Sequence, residues 1–495
     1  MSHTTTSCDL FLGSLVDPPR GEASSLADDN NKGLLYKSER ILEVTMTTEK
    51  IAATGKLSSE AYHKNLQAAL IKFDPEVHKL ITKEYERLQG TIQLLAAENQ
   101  CSRAALAALG SILQNKTSEG FPEARLHGGS GVMDEVEKLA IERAKKAFGA
   151  KYANVQPHSG TTANQIVITA LLKPGDKILS MATSHGGHYS HGFIDSVTAR
   201  FFNIESYHVD RDTFLLDYDE IRKQAKRFGP RLIICGASAY PRAIDFARFR
   251  QIADEAGALL LADISHLSAL VMGGVHASPI DYAHLTTTST YKPGGPRGGL
   301  ILSGKDYDHR INTASGEIPL WQLIEKTTFP GVQGTPYFSN IAAKAVFFKE
   351  ALSKEYKTRQ VRVVENSKRL AGILLRKGYD VLTGGTDNHL MLVNIAGKSQ
   401  NLTGLAAQQC LEQCGIVVDK MLLPYDNNSN GVSGIRLGTP IITKNGMGKA
   451  EIDEIAELVD TVLSNLKSSG RAIDKSVADR VRKQAKALAA QFPIR

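Results

Sequence analysis

The chain has 495 residues, of which 42% are hydrophobic and 22% are charged, a balance typical of a globular protein with two or three domains. The formal net charge of +7 is modest for this length, and no compact Lys/Arg cluster is interleaved with aromatic residues, which argues against nucleic-acid binding. No uncharged apolar run reaches about 18 residues, and the N-terminus lacks the pattern of a secretory signal, so we expect a cytoplasmic protein that is not bound to a membrane.

Cysteines and histidines do not predict a metal site. The five cysteines are odd in number and scattered, which suits a reducing compartment. Cys410 and Cys414 share a helix face but have no paired His or Cys motif nearby, so we expect them in the core. His185 and His188 flank a Gly-Gly turn with no carboxylate beside them, and an imidazole packed against a flat ligand is the better interpretation.

The pattern along the chain predicts three regions. Residues 1–90 are expected to form an arm, extended or partly disordered over residues 1–60, followed by helices. Residues 91–345 are expected to form a large ligand-binding domain. Residues 346–495 are expected to form a smaller C-terminal α/β domain, which a long helix over residues 341–378 leads into.

The middle of the chain alternates short apolar strands with amphipathic helices. Helices are predicted over residues 134–149, 161–172 and 246–257, and strands over residues 152–156, 177–181, 231–238, 258–266 and 284–290. This alternation predicts an α/β fold with a mainly parallel sheet and helices on both of its faces. Ligands of such sheets bind at the carboxyl ends of the strands.

Three features at predicted strand ends carry chemistry. Ser159, Gly160 and Thr161 stand between a strand and a helix start, where they form either an anion cradle or a plain helix cap. Asp263 ends the strand "LLLAD" and must be paired if buried, either within the fold or with a protonated ring nitrogen of a cofactor. Lys292 follows a Thr/Ser run and precedes a glycine loop, where loss of solvation favours the neutral amine that can form a Schiff base.

Together these residues supply what pyridoxal 5′-phosphate requires. The cofactor needs a lysine, an acidic partner for its ring nitrogen and a cradle for its phosphate. Each feature alone is weak evidence, but their order along an α/β pattern predicts a pyridoxal-phosphate enzyme.

At this point the chain resembles the serine hydroxymethyltransferase family, whose members are fold-type-I (aspartate aminotransferase-like) pyridoxal-phosphate enzymes. The resemblance runs from about residue 85 to the C-terminus and is specific in order and spacing. It rests on the segments "AAEN", "NVQPHSGTTAN", "SHGGHYSHG", "ADISH", "TTTSTYKPGGPRGG", "FPGVQG", "GGTDNH" and "SGIRLGTP".

The resemblance implies roles for the cofactor-binding residues. Lys292 matches the Schiff-base lysine, Asp263 the partner of the ring nitrogen, and His266 the histidine near the cofactor oxygen. His188 matches the imidazole stacked on the pyridine ring. The residues that match the phosphate cradle and further cofactor contacts are Ser159, Gly160, Thr161, Ser238 and Ser289.

It also implies roles in substrate binding and assembly. Arg436 matches the arginine that holds the substrate carboxylate, and Glu119 matches the glutamate that acts in acid/base chemistry. Asn388 falls in a segment that contacts folate. Residues 331–334, ending at Gly334, match a loop that meets the phosphate of a neighbouring subunit, which implies a homodimer or tetramer with the active site at the subunit interface.

The sequence departs from the family pattern at several pocket positions. Ala97 replaces a serine, while Thr117, Leu126 and His127 replace tyrosines that line the substrate and folate sites. Tyr291 stands where the family has histidine. An ungapped alignment would place Tyr291 on the lysine position, and a gap after Lys292 keeps the preceding "TTTST" in register.

The predicted activity is the interconversion of serine and glycine, with pyridoxal phosphate as cofactor and tetrahydrofolate as one-carbon acceptor. Because the pocket is altered, a folate-independent aldolase or transaldolase of β-hydroxy amino acids, or an α-methylserine hydroxymethyltransferase, remains an alternative. A third alternative is a pseudoenzyme that keeps the fold as a scaffold.

Overall fold

A computed structural model of the chain describes Lys64 and residues 66–313, 316–396, 402–426, 432–466 and 473–494. The chain forms two compact units, Met1–Pro75 and Glu76–Arg495. In the described part of the first unit, the helix Leu66–Phe73 buries none of its residues. The arm predicted over residues 1–60 lies outside the described residues.

A seven-stranded sheet forms the centre of the second unit. In chain order its strands are β1 (Tyr152–Asn154), β2 (Lys177–Met181), β3 (Asn203–Tyr207), β4 (Leu232–Cys235), β5 (Leu259–Asp263), β6 (Leu285–Ser289) and β7 (Gly299–Ser303). They lie side by side in the order β1-β7-β6-β5-β4-β2-β3. Neighbours among β2 to β6 are parallel, whereas β7 runs antiparallel to β1 and β6. The prediction of an α/β fold with a mainly parallel sheet is confirmed.

Both faces of this sheet are covered, as the burial of its inner strands shows. In β4 all four residues are buried, and Ile233 and Ile234 belong to separate hydrophobic clusters on opposite faces. The first cluster includes side chains of the helices Gly131–Phe148, Phe246–Glu255 and Phe338–Ala351. The second includes side chains of the helix Gly160–Leu171.

Two strands of the central sheet and one helix break were not predicted. β3 (Asn203–Tyr207) is an edge strand of mixed polarity and lacks an apolar run, whereas β7 has the run Leu300 to Leu302 directly after a glycine loop. The prediction of one helix over residues 341–378 is wrong, because the segment forms two helices, Phe338–Ala351 and Lys354–Arg376. Ser353 starts the second helix, where its hydroxyl accepts a hydrogen bond from the backbone N–H of Tyr356 at 3.1 Å.

A second sheet follows in the C-terminal part of the chain. Its antiparallel strands are β8 (Asp380–Val381), β9 (Leu390–Asn394), β10 (Asp419–Met421) and β11 (Gly434–Gly438), in the order β8-β9-β11-β10. The short strand Ile92–Gln93 pairs in parallel with Ile416–Val417, and Ile92 belongs to the hydrophobic core of this part. Cys410 and Cys414 are buried in the same core. The predicted domain boundaries at residues 91 and 346 stay predictions.

The other elements connect or flank these two sheets. The further helices are Pro75–Gln89, Arg103–Leu109, Val197–Phe201, Tyr218–Phe228, Ser268–Gly273, Leu320–Lys326, Gly404–Gln413, Pro440–Asn445, Lys449–Ser464 and Lys475–Gln491. Two hairpins pair Gly120–Phe121 with Ala124–Arg125 and Arg310–Thr313 with Gly316–Pro319. Among the helices of the described ranges, none has the length and apolar character needed to cross a membrane.

Candidate active site

The carboxyl ends of the parallel strands bring most of the predicted site residues together. Asp263 is the last residue of β5 and Ser289 the last residue of β6. Ser238 follows β4, and His188 follows β2. Residues distant in sequence therefore meet at one edge of the sheet, as expected for a parallel α/β fold.

Two cavities lie at this edge. The first, called the arginine cavity, has a volume of about 310 Å³. The residues that line it include Ala97, His188, Ser238, His266, Tyr291, Lys292, Asp419 and Arg436. The cradle cavity has a volume of about 190 Å³ and is lined by His158, Ser159, Gly160, Thr161, His188, Asp263, Ser265, Ser289, Tyr291, Lys292, Arg297 and Gly298. His188, Tyr291 and Lys292 line both cavities, which makes them the boundary between the two.

Asp263 is buried and surrounded by hydrogen-bond donors. Its Oδ2 atom accepts from Asn164 Nδ2 at 2.8 Å and lies 3.0 Å from His191 Nε2. Its Oδ1 atom accepts from the backbone N–H of Ser265 at 2.9 Å and from the Ser265 hydroxyl at 2.6 Å. Burial alone would raise the pKa of Asp263, but the hydrogen bond of His191, its electrostatic interaction with the carboxylate and the hydrogen bond of the Asn164 amide hold it far below its usual value. Asp263 is therefore a buried carboxylate that stays ionised.

The segment Ser159-Gly160-Thr161 forms the start of the helix Gly160–Leu171. Ser159 is the N-cap, and its Oγ accepts from the backbone N–H of Thr162 at 3.0 Å. A Cβ atom on Gly160 would lie 3.2 Å from both the Cβ and the backbone nitrogen of Ser289, so a side chain there would crowd β6. The segment thus combines a helix cap with free N–H groups at the positive end of a helix dipole, facing the cradle cavity.

The amine of Lys292 lies where the two cavities meet. Its Nζ donates to Ser289 Oγ at 3.1 Å and to the Tyr291 hydroxyl at 3.0 Å. The guanidinium of Arg297 lies over the ring of Tyr291, 4.1 Å from its centroid. The side chain of Tyr291 therefore holds the lysine from one side while the end of β6 holds it from the other.

His188 and His266 are uncharged imidazoles at this boundary. Burial lowers the pKa of His188 to about 4, an effect that the charge of Asp263 opposes only in part. The Nδ1 atom of His188 accepts from the backbone N–H of Ser190 at 3.2 Å, so the proton of the neutral ring is on Nε2. Burial, together with the charges of Lys292 and Arg436, lowers the pKa of His266 well below its usual value.

Arg436 enters the arginine cavity from β11 of the second sheet. Its Nε and Nη2 atoms donate to Asp419 Oδ2 at 3.1 and 2.6 Å, and its Nη1 atom donates to the backbone oxygen of Ser238 at 2.6 Å. The guanidinium thus connects the two sheets across the cavity and is paired with a carboxylate of the same chain.

Comparison with known proteins decides the family. Residues 70–459 match the family model described as serine hydroxymethyltransferase. A serine hydroxymethyltransferase from Methanosarcina barkeri (strain Fusaro / DSM 804) is 47% identical over 425 residues, which are 86% of this chain and 98% of that protein. The chain belongs to the serine hydroxymethyltransferase family. The predicted resemblance and the predicted class of enzyme, a hydroxymethyltransferase acting on serine and glycine, are confirmed.

A second cluster of predicted site residues lines neither cavity but contacts the wall of the cradle cavity, since the backbone oxygen of Thr335 lies 3.2 Å from His158 Nε2. The backbone N–H of Glu119 donates to His127 Nδ1 at 3.3 Å, and Glu119 Oε1 accepts from the hydroxyl of Thr335 at 3.3 Å. Gly334 adjoins this carboxylate, since a Cβ atom built on it would lie 3.1 Å from Glu119 Oε1. Thr117 and Leu126 are exposed nearby in sequence, and none of these five predicted residues lines either cavity of the chain as described.

Asn388, predicted to lie in a folate-contacting segment, is fully buried. Its Nδ2 atom donates to the backbone oxygen of Tyr240 at 2.9 Å, and its Oδ1 atom accepts from the backbone N–H of Leu390 at 3.0 Å. In the described structure its side chain shapes the loop before β9 and lines neither cavity.

Several residues of the site were not assigned a role from sequence. Asn164, His191 and Ser265 hold Asp263, and Asp419 pairs with Arg436. His389, next to Asn388, contacts His266. A polar residue inside an apolar helix, as Asn164 is in "TTANQIVITALL", was the one available signal, because such a residue needs a partner. No pattern in the sequence pairs Asp419 with Arg436.

Proposed function

We propose that the protein interconverts serine and glycine in the cytoplasm, with pyridoxal phosphate as cofactor and tetrahydrofolate as one-carbon acceptor, on a fold of type I. The observation that carries the proposal is the cradle cavity, where an ionised carboxylate (Asp263), an amine (Lys292) and a helix N-terminus (Ser159 to Thr161) line the same 190 Å³. A carboxylate, an amine and an anion cradle are the groups that this cofactor requires.

The residues of the cradle cavity fit the cofactor. The N–H groups at the start of the helix Gly160–Leu171 can donate hydrogen bonds to a phosphate. Gly160 has no side chain that would fill the space between this helix start and β6. Asp263, already ionised, can accept a hydrogen bond from a protonated ring nitrogen and keep that proton in place. When bound, pyridoxal phosphate supplies a carbonyl carbon that reacts with amines and a ring that withdraws electrons from the substrate.

The chain's own residues divide the remaining roles. Lys292 would hold the cofactor through Nζ, which Ser289 and Tyr291 orient in the free enzyme. His188, a neutral ring with its proton on Nε2, would contact the cofactor from the boundary of the two cavities. Arg436 binds the substrate carboxylate, and His266, also uncharged, lines the same cavity.

The second cluster is proposed to act in a neighbouring subunit. Glu119, His127 and Gly334 lie together but line neither cavity of their own chain, as residues would that complete the site of another copy. We therefore propose a homodimer, or a tetramer built from dimers, in which Glu119 of one protomer supplies acid/base chemistry to the Lys292 site of its partner. Thr117 and Leu126 would reach the substrate and folate sites in the same way.

The test is glycine formation from L-serine by the protein loaded with pyridoxal phosphate, with and without tetrahydrofolate. The proposal predicts that glycine forms at least about tenfold faster with tetrahydrofolate. Equal rates in both conditions, or activity only on threonine-like or α-methylated substrates, would contradict the folate-dependent activity. Such a result would indicate an aldolase or an α-methylserine hydroxymethyltransferase instead. A colourless protein that takes up no cofactor would contradict the proposal that the protein uses pyridoxal phosphate.

A further inference from the structure

The pairing of Arg436 with Asp419 is built into the second sheet. Asp419 on β10 stands directly opposite Arg436 on β11 in the antiparallel register, so their side chains emerge on the same face. The Arg436 side chain is only 9% exposed and that of Asp419 is 28% exposed. Because the backbone register sets this contact and the pair is largely shielded from water, the contact does not depend on a chance rotamer at the surface.

The pair occupies the position where a substrate carboxylate has to bind. A guanidinium has five N–H donors, and Asp419 Oδ2 takes one from Nε and one from Nη2 while the Ser238 carbonyl takes one from Nη1. A substrate carboxylate must then either displace Asp419 or share the guanidinium with it through the remaining N–H groups. Displacement costs the ion pair of Asp419 with Arg436, and sharing brings two carboxylates to one cation, so either route costs free energy.

Charges of both signs surround the pair, and among them Asp419 is the carboxylate that contacts Arg436. Glu98 lies close enough that the charge of Asp419 adds to the effect of burial in raising the pKa of Glu98. Lys420, the other charged residue that β10 contributes to the cavity wall, also lines the arginine cavity. Within the cavity, Asp419 therefore neutralises the arginine on which carboxylate recognition depends.

We propose that Asp419 is a specificity-determining residue, whose carboxylate competes with the substrate carboxylate for Arg436 and so weakens the binding of small amino acids. This inference rests on the proposed function for the identity of the substrate, but the competition at Arg436 needs no reaction. Asp419 sets the affinity of the site and leaves the chemistry at Lys292 unchanged.

The experiment is a calorimetric titration of acetate, glycine and glycinamide into wild-type protein, Asp419→Asn and Asp419→Ser, with and without added pyridoxal phosphate. The expected result is that both variants bind acetate and glycine about tenfold more tightly, whereas glycinamide, which lacks a carboxylate, binds as in wild type. In steady-state kinetics the same change should lower KM for serine about tenfold with little change in kcat.

The matched control is Asp453→Asn. Asp453 forms an exposed pair with Arg369 on the outside of the protein, with 2.6 Å between Asp453 Oδ1 and Arg369 Nε, so this variant changes the net charge equally without touching the cavity. It should bind all three ligands as wild type does.

Acetate binding that is unchanged or weaker in a folded Asp419→Asn or Asp419→Ser protein would overturn the inference, since Asp419 would then merely orient Arg436. Because acetate binding requires no turnover, tighter acetate binding in a protein that forms no glycine would uphold the inference and count against the proposed function alone.

Discussion

The Nδ1 atom of His266 lies 3.3 Å from the Nε2 atom of His389, and the two rings stack with their centroids 5.5 Å apart. His266 follows β5 of the central sheet and His389 immediately precedes β9 of the second sheet, so this contact joins the two sheets beside the arginine cavity. Both rings are buried, and only one proton can lie between the two nitrogens. The contact therefore requires at least one uncharged ring.

Stability should fall on acidification because of this pair. Burial, followed by the charge of Arg436, lowers the pKa of His389 to about 3, while a histidine in the unfolded chain has a pKa of about 6.5. Below about pH 6.5 the unfolded state therefore binds a proton that the folded state does not, which lowers the free energy of unfolding by about 1.4 kcal/mol per pH unit. Above that pH the histidine has no such effect.

The variant His389→Gln should weaken this dependence. Urea unfolding at pH 7.5, 6.5 and 5.5 should show a shallower loss of stability than in wild type, with about 1 kcal/mol less lost between pH 6.5 and 5.5. If the free energy of unfolding falls equally steeply with pH in both proteins, His389 is protonated in the folded state as readily as in the unfolded state.

Tyr291 should be needed to orient Lys292. The variant Tyr291→Phe keeps the ring under Arg297 and removes only the hydroxyl that lies 3.0 Å from Lys292 Nζ. A single hydrogen bond contributes about 0.5–1.5 kcal/mol, so kcat for serine cleavage should fall about three- to tenfold while KM changes little.

Tyr189→Phe is the matched control for Tyr291→Phe. Tyr189 also lines the arginine cavity, but it is 62% exposed and its ring contacts Phe193 at 5.0 Å between centroids. Its loss of a hydroxyl should leave kcat within about twofold of wild type. If the two variants behave alike, the hydroxyl of Tyr291 has no special role.

Mixed subunits should separate the two clusters of the site. Lys292→Ala and Glu119→Gln should each reduce activity by roughly a thousandfold. If Glu119 serves the partner, a dimer of one subunit of each kind has one intact site, and random mixing should restore about a quarter of wild-type activity. Activity that stays at the level of the single variants would place both residues in the same site.

Lys344 should stabilise the loops that frame the cradle cavity. This buried lysine, on the helix Phe338–Ala351, donates to the backbone oxygens of Val155, Pro157 and Gly299 at 2.6, 3.2 and 2.8 Å. Lys344→Met removes this donor from all three carbonyls, of which that of Pro157 keeps the backbone N–H of Gly299 at 2.8 Å, and it should lower the free energy of unfolding by about 3 kcal/mol or more and weaken cofactor binding.

Lys349→Met on the same helix tests whether that loss is specific. Lys349 is exposed, so its substitution should change the free energy of unfolding by less than about 0.5 kcal/mol in the same urea titration. Equal effects of the two substitutions would mean that the three carbonyls find other donors when Lys344 is absent.

Local sequence patterns predicted the elements whose signals are local. The apolar runs at β4 and β5 and the helix "TTANQIVITALL" are apparent without a structure because strands of this kind are buried on both faces. The edge strand β3 and the break between Phe338–Ala351 and Lys354–Arg376 were missed. The edge strand β3 has the mixed sequence Asn-Ile-Glu-Ser-Tyr, which shows neither an apolar run nor regular alternation, and a single capping serine is enough to end one helix and start another.

The sequence by itself determined that Ser159, Asp263 and Lys292 would meet, because residues that follow parallel strands gather at the same edge of a sheet. Only the tertiary structure decided which side chains hold them. The contacts of Asn164 and His191 with Asp263 span 99 and 72 residues of sequence, and that of Asp419 with Arg436 depends on the register of two antiparallel strands. A shift of one residue in that register would turn Asp419 to the other face of the sheet, and no local pattern in the sequence determines such a register.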